Sequence, residues 1–290
     1  MSVWSQYPLP FVPQPALPVL SVGNLKGGVG KTAIVSYLTL ALAAKGFRVL
    51  ALDLDFQGSL TTSLNYIRLR PEYTGIRDFL LSQSSDVLYD YQRISPSLPS
   101  WQNVTLVGAD LDLADDEDAL FAHLIKGTEM LDPRTLLAHK LSEASIKRDF
   151  DVVILDTPPR LTMASINALI ACTHILIPTT PSTVSMNGAH TFIALLARLK
   201  AHVCPKARVV GVLPTMGVHH NLPPNLGRGF KNVDFWAELH IPRRQAIANN
   251  ARFNDREIQE FFPPLAEKVR QVMGLVRGPS DAGAGLFESA

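Results

Sequence analysis

Cysteine is nearly absent: Cys172 and Cys204 are the only two in 290 residues. That scarcity argues against an oxidising compartment and points to a reducing cytosol. Both lie in apolar, strand-like surroundings, where a free thiol acts as a small hydrophobe, and neither is assigned a function. Long apolar runs are missing as well. Apolar runs such as Val152 to Leu155 and Ile175 to Pro178 are strand-sized, far below the roughly 20 residues of a membrane span. No basic stretch leads into an apolar one near Met1, so no secretory signal is expected. No internal repeat is visible, and the only biased tract is rich in proline.

What is present is a chain 47% hydrophobic and 18% charged, enough apolar material for one large globular domain. Its net charge of +1 conceals an asymmetry. Up to Ala197, 14 Lys and Arg stand against 18 Asp and Glu, whereas from Arg198 to Arg277 there are 13 against 6. The C-terminal third is therefore basic, which suits either a solvated mixed-charge surface or a nucleic-acid patch.

Prolines at positions 8, 10, 13 and 15 make residues 1–17 an extended arm; Trp4, Tyr7 and Phe11 are candidate anchors to the domain or a partner, but a mobile terminus is expected. Residues 18–277 form the folded domain, and residues 278–290 read as a flexible tail. Strands are expected at Val19 to Val22, Arg48 to Asp53, Val104 to Val107, Asp151 to Asp156, His174 to Ile177 and Arg208 to Leu213. Helices are expected at Lys31 to Ala44, Leu111 to Leu124, Pro133 to Ser145, Ser165 to Ala171, Ser185 to Lys200 and Glu257 to Leu275. The alternation predicts an α/β fold with a doubly wound, mostly parallel sheet and helices on both faces.

Directly after the first strand comes Lys26-Gly27-Gly28-Val29-Gly30-Lys31-Thr32, followed by a helical run. Glycines let backbone N–H groups turn inward around phosphate oxygens, and the helix N-terminus adds partial positive charge there. Lys31 is placed to reach the β- and γ-phosphates, and the Thr32 hydroxyl to ligate Mg²⁺. A second lysine at the start of the loop, Lys26, exceeds what a simple cradle needs. In LDLDFQG, Asp53 and Asp55 are two apart at a strand end, so both face the same side. In DVVILDTPP, Asp156 ends a buried strand, the Walker B pattern of a carboxylate that holds the metal through water.

These segments, with LPTM at 213–216 and IPRR at 241–244, resemble the deviant Walker A ATPases that include ParA partition proteins and MinD. The likeness is strongest to ParA, through Asp53, Asp55, Gln57 and Gly58. It implies a P-loop NTPase using ATP and Mg²⁺, in which Lys26 crosses a nucleotide-sandwich homodimer to the other subunit's phosphates. Lys26, Lys31 and Asp55 would be catalytic, with Asp55 positioning water. Thr32, Asp156 and Asp53 would serve the metal, and Thr215, Met216 and Pro242 would border the adenine. A ParB-like or cargo adaptor would stimulate a slow hydrolysis, in the cytoplasm and at the nucleoid. Two departures stand out: Phe56 replaces the family's usual proline after the second aspartate, and GVHHNLPPN replaces an arginine after the Thr-Met pair. His219 and His220 are adjacent and tend to point apart, which argues against a metal site there.

Four functions are weighed against this pattern. A ParA-type switch would bind DNA non-specifically in its ATP state, with Arg228, Lys231, Arg243, Arg244 and Arg252 as candidate phosphate contacts. A MinD-like membrane switch needs a terminal amphipathic basic helix, and the glycine-rich end supplies none. An ATP-dependent metabolic enzyme shares the fold and needs further substrate-binding residues. An iron protein needs a cysteine pair at a dimer interface, for which Cys172 and Cys204 are poorly placed.

Overall fold

A computed structural model describes residues 9, 11–64, 75–81, 103–109, 132–199, 207–217, 226–230, 232–248 and 256–276. The helix expected at 111–124, the tail, Trp4, Tyr7, Lys231, Arg252, Cys204, His219 and His220 lie outside the described residues.

Among the described residues seven strands form one sheet: β1 (Val19–Val22), β2 (Val49–Asp53), β3 (Val104–Val107), β4 (Val152–Asp156), β5 (His174–Thr179), β6 (Arg208–Gly217) and β7 (Ile241–Pro242). Their order is β3-β2-β4-β1-β5-β6-β7, and every pairing is parallel. Parallel neighbours require crossovers that place helices on the sheet faces. One face carries α1 (Lys31–Ala44), α2 (Ser59–Ser63) and α9 (Arg256–Met273). The other carries α3 (Ile76–Leu81), α4 (Leu136–Leu141), α5 (Ala144–Asp149), α6 (Met163–Ala171) and α7 (Thr183–Leu199). A short helix, α8 (Gln245–Ala248), leads out of β7.

The pleat sorts the strand side chains between two cores. On β4, Val153 and Leu155 join the α6 and α7 side, while Val152 and Ile154 join the α1 and α9 side. Because both faces are covered, all five β4 positions are buried, which explains why the strand reads as a continuous apolar run. Tyr37 of α1 meets Phe262 of α9 with ring centroids 4.8 Å apart, so α1 is held between the sheet and the last helix.

Three expectations change. The single helix over 133–145 is two, α4 and α5, because Glu143 between them is extended (φ −63, ψ 143) and the Ser142 hydroxyl donates to the Ala138 carbonyl. Strand β6 continues beyond Leu213: pairing with β5 ends at Thr179↔Pro214 and pairing with β7 takes over at Thr215, so Pro214 falls at the handover between the two ladders. In the arm, where a mobile terminus is expected, Leu9 and Val12 pack on the α6 and α7 core, and Phe11, one of the candidate anchors, is 88% exposed.

Gly211 of β6 lies under the buried Trp236 indole: a Cβ there would sit 2.3 Å from Trp236 Cε2. Gly211→Ala is therefore expected to destabilise the fold by about 1–3 kcal/mol, the range for overpacking, as a lowered midpoint in urea unfolding followed by tryptophan fluorescence.

Candidate functional site

The site forms where β1, the central strand, hands over to α1. Its neighbours β4 and β5 connect to opposite halves of the sheet, and such a reversal opens a crevice at the C-terminal strand ends. Buried Asn24 shapes the loop entrance: its amide donates to the Pro178 carbonyl at 2.8 Å, and its Oδ1 accepts the Lys26 N–H at 3.0 Å. Gly28 (φ 71) and Gly30 (φ 83) hold left-handed conformations, and a Cβ on Gly28 would meet nothing within 4 Å. The loop thus presents open backbone at the start of α1, as an anion cradle requires.

The two lysines are used differently. Lys31 is buried and folds over the loop, its Nζ donating to the Lys26 carbonyl at 3.3 Å. Burial pulls its ammonium below the usual lysine range, against the opposing pull of Asp156 and Asp55. Lys26 is half-buried and points away, its Nζ donating to Ser185 Oγ at 2.5 Å.

Asp53 and Asp156 are register partners on β2 and β4. Burial pushes Asp53 from its ordinary 3.8 up to about 6, despite hydrogen bonds from the Thr61 hydroxyl (2.7 Å), the Thr61 N–H (2.9 Å) and the Asp55 N–H (3.2 Å). Those three donors show Asp53 tying the turn after β2 to α2. Thr61 also accepts the Ala109 N–H at 2.9 Å, extending the tie beyond β3.

Burial likewise drives Asp156 well above the carboxylate range, and Asp53 beside it adds to the effect. Asp156 Oδ2 accepts the Thr32 hydroxyl at 2.7 Å, while among the described residues the buried Oδ1 has no partner. A buried carboxylate oxygen left alone is costly, and a water on a divalent cation would satisfy it. Among the described residues no cluster of three His, Cys, Asp or Glu side chains could hold a metal alone. The donor set of Thr32 and Asp156 therefore fits Mg²⁺ completed by phosphate oxygens and water.

Asp55 sits in the following turn, half-buried, its Oδ1 accepting the Gln57 N–H at 3.1 Å. Phe56 lies under the guanidinium of Arg160, 5.5 Å from ring centroid to Cζ, so the position that departs from the family's proline touches the segment after Asp156. Thr215 clamps the loop from the other side, its hydroxyl within reach of the Val29 carbonyl (2.9 Å) and the Thr179 carbonyl (3.2 Å). Met216 has φ 56, and its Cε lies 3.4 Å from where a Gly30 Cβ would be. Pro242 of β7 pairs with Gly217 just beyond. The structure thus gathers Thr215, Met216 and Pro242 along β6 and β7, with the first two at the loop.

Of the basic candidates, Arg228 and Arg243 are exposed and Arg244 is half-buried. Arg243 and Arg244 follow β7, while Arg228 occupies the turn over 226–229. Sequence reasoning missed Asn24, Thr61 and Ser185. Thr61 stands within the LDLDFQGSLT run that carries the two aspartates, but nothing in the spacing of Asn24 or Ser185 marks them.

A parallel sheet with a glycine-rich loop between its central strand and a helix, and a carboxylate on the neighbouring strand, defines a P-loop NTPase fold. A sequence profile described as an AAA domain matches residues 17–209. The chromosome-partitioning ATPase Soj of Thermus thermophilus is 31% identical over 263 residues, 87% of this chain and 92% of that protein. Among solved structures, cobyrinic acid a,c-diamide synthase from Mycobacterium smegmatis with bound ADP and magnesium is 26% identical, with TM-score 0.70, covering 88% of this chain and 95% of its own. An aspartate-to-alanine variant of McdA from Cyanothece, in complex with ATP, has TM-score 0.70 at 20% identity, covering 91% and 99%, a likeness of fold alone. The chain belongs to the ParA/MinD family of deviant Walker A ATPases.

Because Asp53 binds its proton more tightly folded than unfolded, its contribution favours the folded state below pH 3.8 and is lost as pH rises to about 6. In nucleotide-free, Mg²⁺-free protein, Asp53→Asn is expected to flatten this downward slope of unfolding free energy between pH 4 and about 6, measured by urea titration at fixed ionic strength.

Proposed function

We propose that this chain is an ATP-gated dimerising switch of the ParA type, which binds DNA non-specifically in its ATP state. The observation that carries the reading is the division of labour between the two loop lysines. Lys31 is committed to its own loop, whereas half-buried Lys26 directs its ammonium across to Ser185, at the C-terminal edge of the sheet. A cation held there by a neutral hydroxyl can be released to a triphosphate held by a second copy. Apolar side chains at the same edge support a covered face: Leu161 and Met216 are each 38% exposed and Val184 is 72% exposed.

In this reading the backbone of Gly27 to Gly30 and the Lys31 ammonium bind the β- and γ-phosphates. Thr32 and Asp156 hold Mg²⁺, which neutralises phosphate charge when bound, and Asp53 orients the turn that carries Asp55. Asp55 aligns the attacking water, and Lys26 completes the partner's site. Phosphoryl transfer asks mainly for such positioning and charge compensation, and a site completed only by two chains is a switch. Thr215, Met216 and Pro242 border the base. Arg228, Arg243 and Arg244, with Lys231 and Arg252, supply DNA-phosphate contacts at the nucleoid, and a ParB-like or cargo adaptor stimulates hydrolysis. Among the described residues no helix is long and apolar enough to cross a membrane. The likeness to a diamide synthase favours a second reading, an ATP-dependent synthetase, which would have no need of DNA.

Lys26→Ala is expected to keep nucleotide binding but lose ATP-dependent dimers in analytical ultracentrifugation; undiminished dimers would remove the sandwich. Arg243→Glu with Arg244→Glu is expected to weaken ATP-dependent DNA binding at least tenfold with hydrolysis intact, and wild-type binding should fall steeply with salt. A wild type that ignores DNA at low salt with ATP would favour the synthetase.

A further inference from the structure

The contact made by Lys26 on its own chain is built from three converging hydroxyls. Ser185, 0% exposed, receives the ammonium at 2.5 Å; its Oγ lies 2.5 Å from Thr180 Oγ1 and 3.0 Å from Ser182 Oγ. The Thr180 and Ser182 hydroxyls are 3.2 Å apart, and Ser182 Oγ also accepts the Ser185 N–H at 3.3 Å, which fixes the cluster to the first turn of α7. Two of these residues come from the loop after β5 and the third from the helix, so the seat is preformed by the fold.

Its electrostatics are unusual for a lysine. Among the described residues no carboxylate pairs with this ammonium, and the N-terminus of a 17-residue helix carries partial positive charge, which disfavours a cation. Only neutral hydroxyl oxygens oppose that repulsion. The contact therefore holds the side chain in a defined place yet yields readily to a phosphate anion, a far stronger partner for an ammonium.

We propose that Ser185, set by Thr180 and Ser182, is a positioning residue that holds Lys26 on its own subunit until nucleotide-driven association. The proposal rests on the dimer reading above. A sandwich can form only after the contact is broken in both copies, so the seat opposes dimerisation in the resting protein. It sets the protein and ATP concentrations at which the switch closes, and leaves nucleotide binding by the single chain alone.

The test uses the full chain. Lysine acylation of nucleotide-free protein, read by mass spectrometry against Lys45 and Lys147, is expected to rise about 3-fold or more at Lys26 in Ser185→Ala and in Thr180→Val. With Mg²⁺ and ATPγS, the same variants are expected to dimerise about 3–10-fold more tightly, since an ionic hydrogen bond is no longer lost on association. ADP affinity is expected to stay unchanged, which a general loss of structure would not allow. Equal Lys26 acylation in wild type and both variants, or weaker dimers in both, overturns the proposal. A Lys26→Ala chain that dimerises normally, with acylation still raised in Ser185→Ala, supports the seat and strikes the dimer reading alone.

Discussion

The hydrogen bond from Thr32 to the buried carboxylate of Asp156 joins the start of α1 to the end of β4. It fixes the phosphate loop against the strand whose acid end it needs. Much else at the site follows from the burial of the carboxylates there. Asp156 is buried, and among the described residues its second oxygen has no partner. Asp53, its register partner, is raised to about 6 by its own burial, and Lys31 is the nearby cation. The core therefore ends in a layer of ionisable groups whose charges are incompletely matched.

Such a layer is expensive to keep, and its cost makes sense only with an occupant. The unmatched Asp156 oxygen and the open loop amides are features a Mg²⁺ nucleotide would complete. Around them the neutral side chains act as fixtures. Thr61 holds Asp53, Asn24 holds the loop entrance, Thr215 holds the loop's far side, and Ser185 holds Lys26. Hydroxyls and amides suit these roles because they pin a backbone or a cation without adding charge to an already charged pocket.

Arg160 on Phe56 shows how a departure from a family pattern is absorbed. Where proline would stiffen the turn after Asp55 through its own ring, this chain has an aromatic ring that packs beneath a cation on the neighbouring loop. The turn is then restrained by a contact between segments instead of by covalent geometry.

The parallel α/β architecture, the phosphate loop and the acidic strand ends are all legible in the chain alone, because each is a local pattern: apolar runs of strand length, glycines before a helix, carboxylates at fixed spacing. The division of 133–145 into two helices is not legible there, since the break depends on Glu143 becoming extended between packed neighbours. Nor is β7, two residues long, whose pairing exists only because β6 runs past Pro214. Which neutral side chains meet the charged ones is settled by the folded arrangement. Lys26 and Ser185 are 159 residues apart, and Asn24 and Pro178 are 154 apart. No local spacing encodes such pairs; they arise because β1 and β5 are adjacent strands, which brings the loops at their C-terminal ends together.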